Sequence, residues 1–165
     1  MTRFFTAIQG GGVGRLRGRS DLVSVFLDTG FFVALANASD RDHEEMVSLS
    51  DRIRNGEFGQ PYTSDYVFDE AVTTALVRTG RMGKAIEIGR MILGYEKEKI
   101  APLARLLRVD ESVFRKAWEN FTSPKFKEKD LSFTDHTIMV QMKELGIETI
   151  ASMDSGFDGL VSRIF

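Results

Sequence analysis

Short runs of β-branched and aromatic residues alternate along this chain with longer stretches of helical periodicity, and that alternation leaves few folds open. Residues 22–27, Leu-Val-Ser-Val-Phe-Leu, lack helical spacing and read as a buried strand. Further extended segments are expected around Tyr62 and over residues 104–109, 148–152 and 161–165, the last as an edge strand. Helices are expected between them. One covers residues 31–38, and a second is capped by Ser39 and Asp40, carries Met46, Leu49 and Ile53 at helical spacing, and stops at Gly56. A third runs over 65–78 from an N-cap at Ser64 to Gly80, and a fourth over 81–93. A fifth follows Asp110 with Val113, Phe114, Ala117, Trp118 and Phe121 on one stripe, and a sixth runs over 134–145 to Gly146; the polar stretch 122–130 reads as loop. Strands alternating with helices predict an α/β three-layer sandwich: a central, mostly parallel sheet of four or five strands, right-handed crossovers and helices on both faces. In such sheets ligands bind beyond the carboxyl ends of the strands, where the strand order reverses.

Composition narrows the chemistry. A chain of 165 residues is about one domain, taken to be residues 21–165, preceded by a basic, glycine-rich arm over residues 1–20. The run Gly10-Gly11-Gly12-Val13-Gly14 follows no strand and precedes no Walker lysine, so it is not read as a phosphate loop. With no cysteine, thiolate metal sites, disulfides and thiol nucleophiles are excluded, which leaves oxygen ligands and hard cations. The formal net charge of −2 gives no whole-protein attraction for a polyanion. No apolar run suits a membrane span or a secretory signal, so a cytoplasmic location is expected.

Four acids occupy positions where a carboxylate is expensive. Asp28 and Asp154 fall at the carboxyl ends of expected strands. At about 100° per residue, Glu70 shares a helical face with Val67, Ala71 and Thr74 and so points inward, whereas Asp69 points away. Asp135 shares a face with Ile138, Met142 and Leu145 near a helix N-terminus, which favours a carboxylate. Each acid alone has a structural explanation as a turn or first-turn residue. Their joint placement points to a shared site.

Four stretches in order, Val25-Phe-Leu-Asp28-Thr29-Gly-Phe-Phe, Thr63-Ser-Asp-Tyr-Val-Phe-Asp-Glu70, Leu131-Ser-Phe-Thr-Asp135 and Ile150-Ala-Ser-Met-Asp154-Ser-Gly-Phe157, resemble the PIN domain, and within it the VapC-like toxins. The resemblance spans residues 21–165. It implies a PIN-like fold in which Asp28, Glu70, Asp135 and Asp154 hold Mg²⁺ or Mn²⁺. The activity implied is a metal-dependent endoribonuclease that hydrolyses RNA phosphodiester bonds as the toxin of a type II toxin–antitoxin pair. A homodimer, an RNA substrate and a small antitoxin protein follow as expected partners. Thr29 and Ser152 match polar positions that flank such a site, and Asp158 adds an acid near the fourth member of the quartet. Two other readings keep the fold: an RNA-processing nuclease outside a toxin system, and a catalytically inactive interaction module. A phosphatase with an aspartyl nucleophile would want a second aspartate two residues after the first, where this chain has Gly30.

The surrounding residues have ordinary readings. Arg41, Arg81, Lys84, Lys125, Lys127 and Lys129 are taken as solvated charge rather than an RNA-binding patch. Phe31, Phe32, Tyr66 and Phe68 are expected in the core or at an interface, His43 at the surface, and Trp118 in the core.

Overall fold

The computed structural model describes residues 24–126 and 129–165. The expected arm over 1–20, the first residues of the first strand, and Lys127 lie outside them. Five strands, β1 (Ser24–Leu27), β2 (Gln60–Ser64), β3 (Arg105–Leu107), β4 (Thr149–Ala151) and β5 (Ser162–Ile164), form one sheet in the order β3-β2-β1-β4-β5. Every pairing is parallel. The helices are α1 (Thr29–Ala36), α2 (His43–Arg54), α3 (Asp65–Thr79), α4 (Met82–Leu93), α5 (Glu111–Phe121) and α6 (Phe133–Leu145). Helices α1 to α4 pack together as one layer and α5 packs on α6 in the other.

Strand β1 is central because its residues are apolar on both faces, as a strand covered on two sides requires. Val25, Phe26 and Leu27 are fully buried, and Phe26 stands in register with Tyr62 on one side and Ile150 on the other. Around them, Phe31, Phe32, Met46, Ile88, Ile92, Ile138, Met142 and Phe157 complete one continuous core. The chain passes from β1 outward through β2 to β3, then returns to add β4 on the opposite side of β1. The strand order therefore reverses between β1 and β4, and the residues just past those two strands flank the crevice.

Helix ends follow the expected chemistry in most places. Ser64 accepts from the Val67 amide and Asp110 from the Val113 amide, while Gly80 and Gly146 close α3 and α6 in the left-handed conformation. The second helix is an exception. Asp40 does not cap it; its carboxylate accepts from the Asp42 amide in a local turn, and α2 starts three residues beyond Asp40, at His43. Strand β3 is shorter than expected at Arg105–Leu107, and a single 3₁₀ turn, Pro124–Phe126, interrupts the loop after α5.

Trp118 is not core. It is 54% exposed, with Phe114 and Phe121 beside it also exposed. The stripe of α5 that meets α6 is narrower than the apolar pattern suggests, consisting of Val113 and Ala117 against Val140. Phe114, Trp118 and Phe121 lie along the edge of that stripe and gather edge-on around Phe133. Phe31 and Phe32 are fully buried as expected, whereas Tyr66 is half-buried and reaches Phe133. No helix among the described residues is long and apolar enough to cross a membrane.

Truncating the central strand should be severe. Phe26→Ala is expected to lower unfolding stability by about 3–5 kcal/mol, the usual loss for a fully buried phenylalanine, as measured by urea denaturation.

Candidate active site

Asp28 is the residue at which strand, helix and crevice meet. It directly follows β1, and its backbone amide still donates to the Ala151 carbonyl of β4 at 3.1 Å. Its carboxylate caps α1, with Oδ1 accepting from the Thr29 amide at 2.6 Å, and Oδ2 accepts from the Ser152 hydroxyl at 2.7 Å. The side chain is only 5% exposed. Ser152, fully buried one residue past β4, also accepts from the Asp154 amide at 3.0 Å. One hydroxyl thus ties the ends of the two central strands together.

The other three acids reach the same crevice from separate elements. Glu70, half-buried in α3, accepts from the Thr29 hydroxyl at 3.1 Å through Oε2. Asp135 sits in the first turn of α6, where it forms a reciprocal cap with Ser132: Oδ2 accepts from the Ser132 amide at 2.7 Å and the Ser132 hydroxyl accepts from the Asp135 amide at 3.2 Å. Asp154 caps the 3₁₀ turn Ser155–Phe157 by accepting from the Gly156 amide at 2.7 Å. A side chain at Gly156 would collide with Leu131, 2.7 Å from an added Cβ, and would press on Asp154 Oδ1 at 3.1 Å. The glycine lets this turn sit flush against the site.

All four acids line one open cleft of about 340 Å³, with Thr29 among its walls. Asp158 does not join them. Its carboxylate is clamped by Arg163 at 2.6 and 3.1 Å, and its carbonyl accepts from Lys129 at 2.8 Å. Asp69 is exposed and outside the cleft. His43 is also elsewhere: its Nδ1 lies 2.9 Å from the Ala34 carbonyl, so that nitrogen carries the proton and the ring tethers α2 to α1.

Electrostatics at the cleft is dominated by burial. Removal from water pushes the Asp28 carboxyl up to about 7, with the neighbouring Asp135 and Glu70 charges adding to the rise and the Ser152 and Thr29 hydrogen bonds opposing it. Burial likewise pushes Asp135 up to about 6, opposed by Ser132 and reinforced by Asp154 and Glu70. This is the signature of carboxylates short of positive charge. Asp135 Oδ1, Asp154 Oδ2 and Glu70 Oε1 accept no hydrogen bond among the described residues. Carboxylate oxygens alone suit a hard cation such as Mg²⁺ or Mn²⁺. Among the described residues, no three acids or histidines are already drawn together as a closed cation cage. The fit therefore rests on donor type, free oxygens and uncompensated charge.

Sequence reading missed several cleft residues: Asp40, Asp130, Ser132 and Arg78. Arg78 carried a usable signal, since Glu70, Thr74 and Arg78 recur at four-residue spacing and must share one ridge of α3. Asp130 carried none; its exposed backbone adopts φ 45°, in the left-handed region, which no local pattern announces.

The chain as a whole is similar to proteins of known family. The PIN domain family model matches residues 25–161. A VapC ribonuclease of Archaeoglobus fulgidus is 25% identical over 135 residues, which make up 82% of this chain and 80% of that relative. The crystal structure of Mycobacterium tuberculosis VapC20, a Sarcin-Ricin loop cleaving toxin, superposes with a TM-score of 0.68 at 26% identity, covering 82% of this chain and 94% of that one. FitAcB from Neisseria gonorrhoeae shares the fold, with a TM-score of 0.59 at 20% identity over 86% of this chain and 96% of its own.

The raised carboxyls fix how the metal-free fold responds to pH. Their ordinary value is 3.8, so from roughly pH 4 to pH 7 the folded chain holds protons that the unfolded chain has released. Stability is therefore greatest at the acid end of that window and declines as pH rises through it. Asp28→Asn removes the buried charge, and should raise the melting temperature in EDTA at pH 8 by an amount that shrinks toward pH 5. The gain corresponds to at most a few kcal/mol, since a carboxyl raised tenfold in proton affinity by folding costs about 1.4 kcal/mol to ionise. Scanning calorimetry at the two pH values checks it, and an equal change at both would contradict the electrostatic account.

Proposed function

The chain belongs to the PIN domain family, and from that premise we propose that it is a metal-dependent endoribonuclease that hydrolyses RNA phosphodiester bonds as the toxin of a toxin–antitoxin pair. The observation that carries the proposal is the convergence of Asp28, Glu70, Asp135 and Asp154 from four separate elements on one cleft at the reversal of strand order. The relatives named VapC support the choice of RNA over other phosphodiesters.

In this reading Asp28, Asp135 and Asp154 are ligands of Mg²⁺ or Mn²⁺, and Glu70 either ligates or accepts a proton. A cation bound there supplies charge neutralisation at the scissile phosphate and makes water more acidic. The chain's own groups do the positioning. Ser152 and the Thr29 amide hold both oxygens of Asp28, so this carboxylate presents its remaining lone pairs without rotating. The Thr29 hydroxyl occupies Glu70 Oε2 and leaves Oε1 to take the proton of the attacking water. Water attacks phosphorus in line, the bond to the leaving oxygen breaks with its electron pair, and solvent protonates that oxygen. Ser132 restrains Asp135 through its backbone amide, which donates to Oδ2, while its hydroxyl accepts from the Asp135 amide.

A small antitoxin protein that occupies the cleft region, a homodimeric assembly and a cytoplasmic location complete the proposal. Purified protein with Mn²⁺ should cleave a pool of structured RNAs and lose that activity in EDTA. Asp28→Asn and Asp154→Asn should each reduce the rate on the order of 10²–10³-fold, the scale of removing one strong electrostatic contact with the transition state. Undiminished cleavage by Asp28→Asn would overturn the site.

A further inference from the structure

Among the described residues, the cleft is walled by six carboxylates, those of Asp28, Asp40, Glu70, Asp130, Asp135 and Asp154, and by a single basic side chain, that of Arg78. An RNA strand brings further negative charge to this place. A cation held by the quartet neutralises the centre, but the phosphates on either side of the scissile bond still need a partner along the wall.

Arg78 is placed to be that partner. It lies in the last turn of α3, on the ridge it shares with Glu70 and Thr74, and all three residues face the cleft. Eight residues at 1.5 Å set its Cα about 12 Å along the helix from that of Glu70. Its guanidinium thus serves a point beside the reacting centre. Among the described residues it forms no hydrogen bond and no ion pair, and it is exposed. Four other basic side chains are engaged away from the cleft: Arg41 pairs with Asp42 at 2.9 Å, Lys84 with Glu87 at 2.9 Å, Arg163 with Asp158 at 2.6 Å, and Lys129 with the Asp158 carbonyl at 2.8 Å; Arg81 does not line the cleft. A free guanidinium fork matches the geometry of a phosphate. An arginine at a helix C-terminus also complements the helix dipole, but at an exposed site that effect is small and would not change with RNA.

We propose that Arg78 binds the RNA backbone at a phosphate flanking the scissile bond and sets the register of the strand over the four acids. This rests on the ribonuclease reading. It makes Arg78 a substrate-positioning residue and not a metal ligand.

The test compares wild type, Arg78→Ala, Arg78→Lys and, as a control, Arg115→Ala, an exposed arginine on α5 paired with Glu111 at 2.6 Å. Cleavage of a single-stranded RNA oligonucleotide is followed across a salt series with Mn²⁺ present. Arg78→Ala should raise KM about tenfold, the scale of one charge-assisted hydrogen bond, and leave kcat within about twofold. The slope of log(kcat/KM) against log[salt] should become shallower by about 0.7, the contribution of one neutralised phosphate on a single strand. Arg78→Lys should keep the slope and recover part of the KM, because the charge remains without the fork. Mn²⁺ affinity measured by calorimetry should be the same in wild type and Arg78→Ala. An unchanged salt slope in Arg78→Ala, an equal change in Arg115→Ala, or weakened Mn²⁺ binding would overturn the assignment of Arg78 alone. Failure of the wild type to cleave RNA would bring down the ribonuclease reading together with it.

Discussion

The hydrogen bond from Ser152 to Asp28 is the interaction on which the rest of the site depends. Both residues follow central strands, and the parallel pairing of β1 with β4 brings them side by side. A carboxylate so thoroughly buried would be strongly disfavoured without partners. The fold answers with two donors that also perform structural work: one begins α1, and the other links Asp28 to the backbone of Asp154. Placement of the buried carboxylate and helix initiation are therefore the same event at Asp28. Loss of the capping geometry would displace the first acid and the turn that presents the last.

The same double use of donors is visible at the remaining acids. Asp135 is held by the reciprocal cap of α6, Asp154 by the 3₁₀ turn it initiates, and Glu70 by Thr29, the first residue of α1. Asp28 gives both oxygens to backbone or hydroxyl donors, and the other three acids each give one and keep the other free among the described residues. These donors fix the rotamers with which the four carboxylates face one cleft. Their mutual repulsion and burial are only partly offset, which is why the Asp28 and Asp135 carboxyls stay raised.

Much of this is legible in the sequence because the controlling signals are local. Apolar runs and caps locate the strands and most helices, and four-residue spacing orients Glu70 inward and Asp69 outward. The parallel α/β class then places Asp28 and Asp154 at one edge. The failures share a different cause. Periodicity says which residues occupy one face of a helix and nothing about how much of that face a neighbour covers; α6 covers Val113 and Ala117 but leaves Trp118 exposed. Asp158 resembles a fifth acid of the site because it is close to Asp154 in sequence. Its partner Arg163 lies five residues on, in β5, and no periodicity in the sequence marks that turn as an ion pair. Asp40 reads as a helix cap since an Asx turn and an N-cap begin with the same residue types.

A site of this kind sacrifices stability for readiness. With both raised carboxyls ionised, the folded state carries unfavourable buried charge, and any cation that binds only the folded chain relieves it while adding its own binding energy to folding. The donors at Ser152, Thr29 and Ser132 limit the loss: they are neutral, so they orient the carboxylates without competing with a cation for charge. Salt-bridging lysines or arginines at those positions would neutralise the carboxylates themselves and oppose the binding of a cation. The nearby Arg163 is directed at Asp158 and at the Ser152 carbonyl instead. It braces the two ends of the segment that carries Asp154 and makes no hydrogen bond to the four cleft acids.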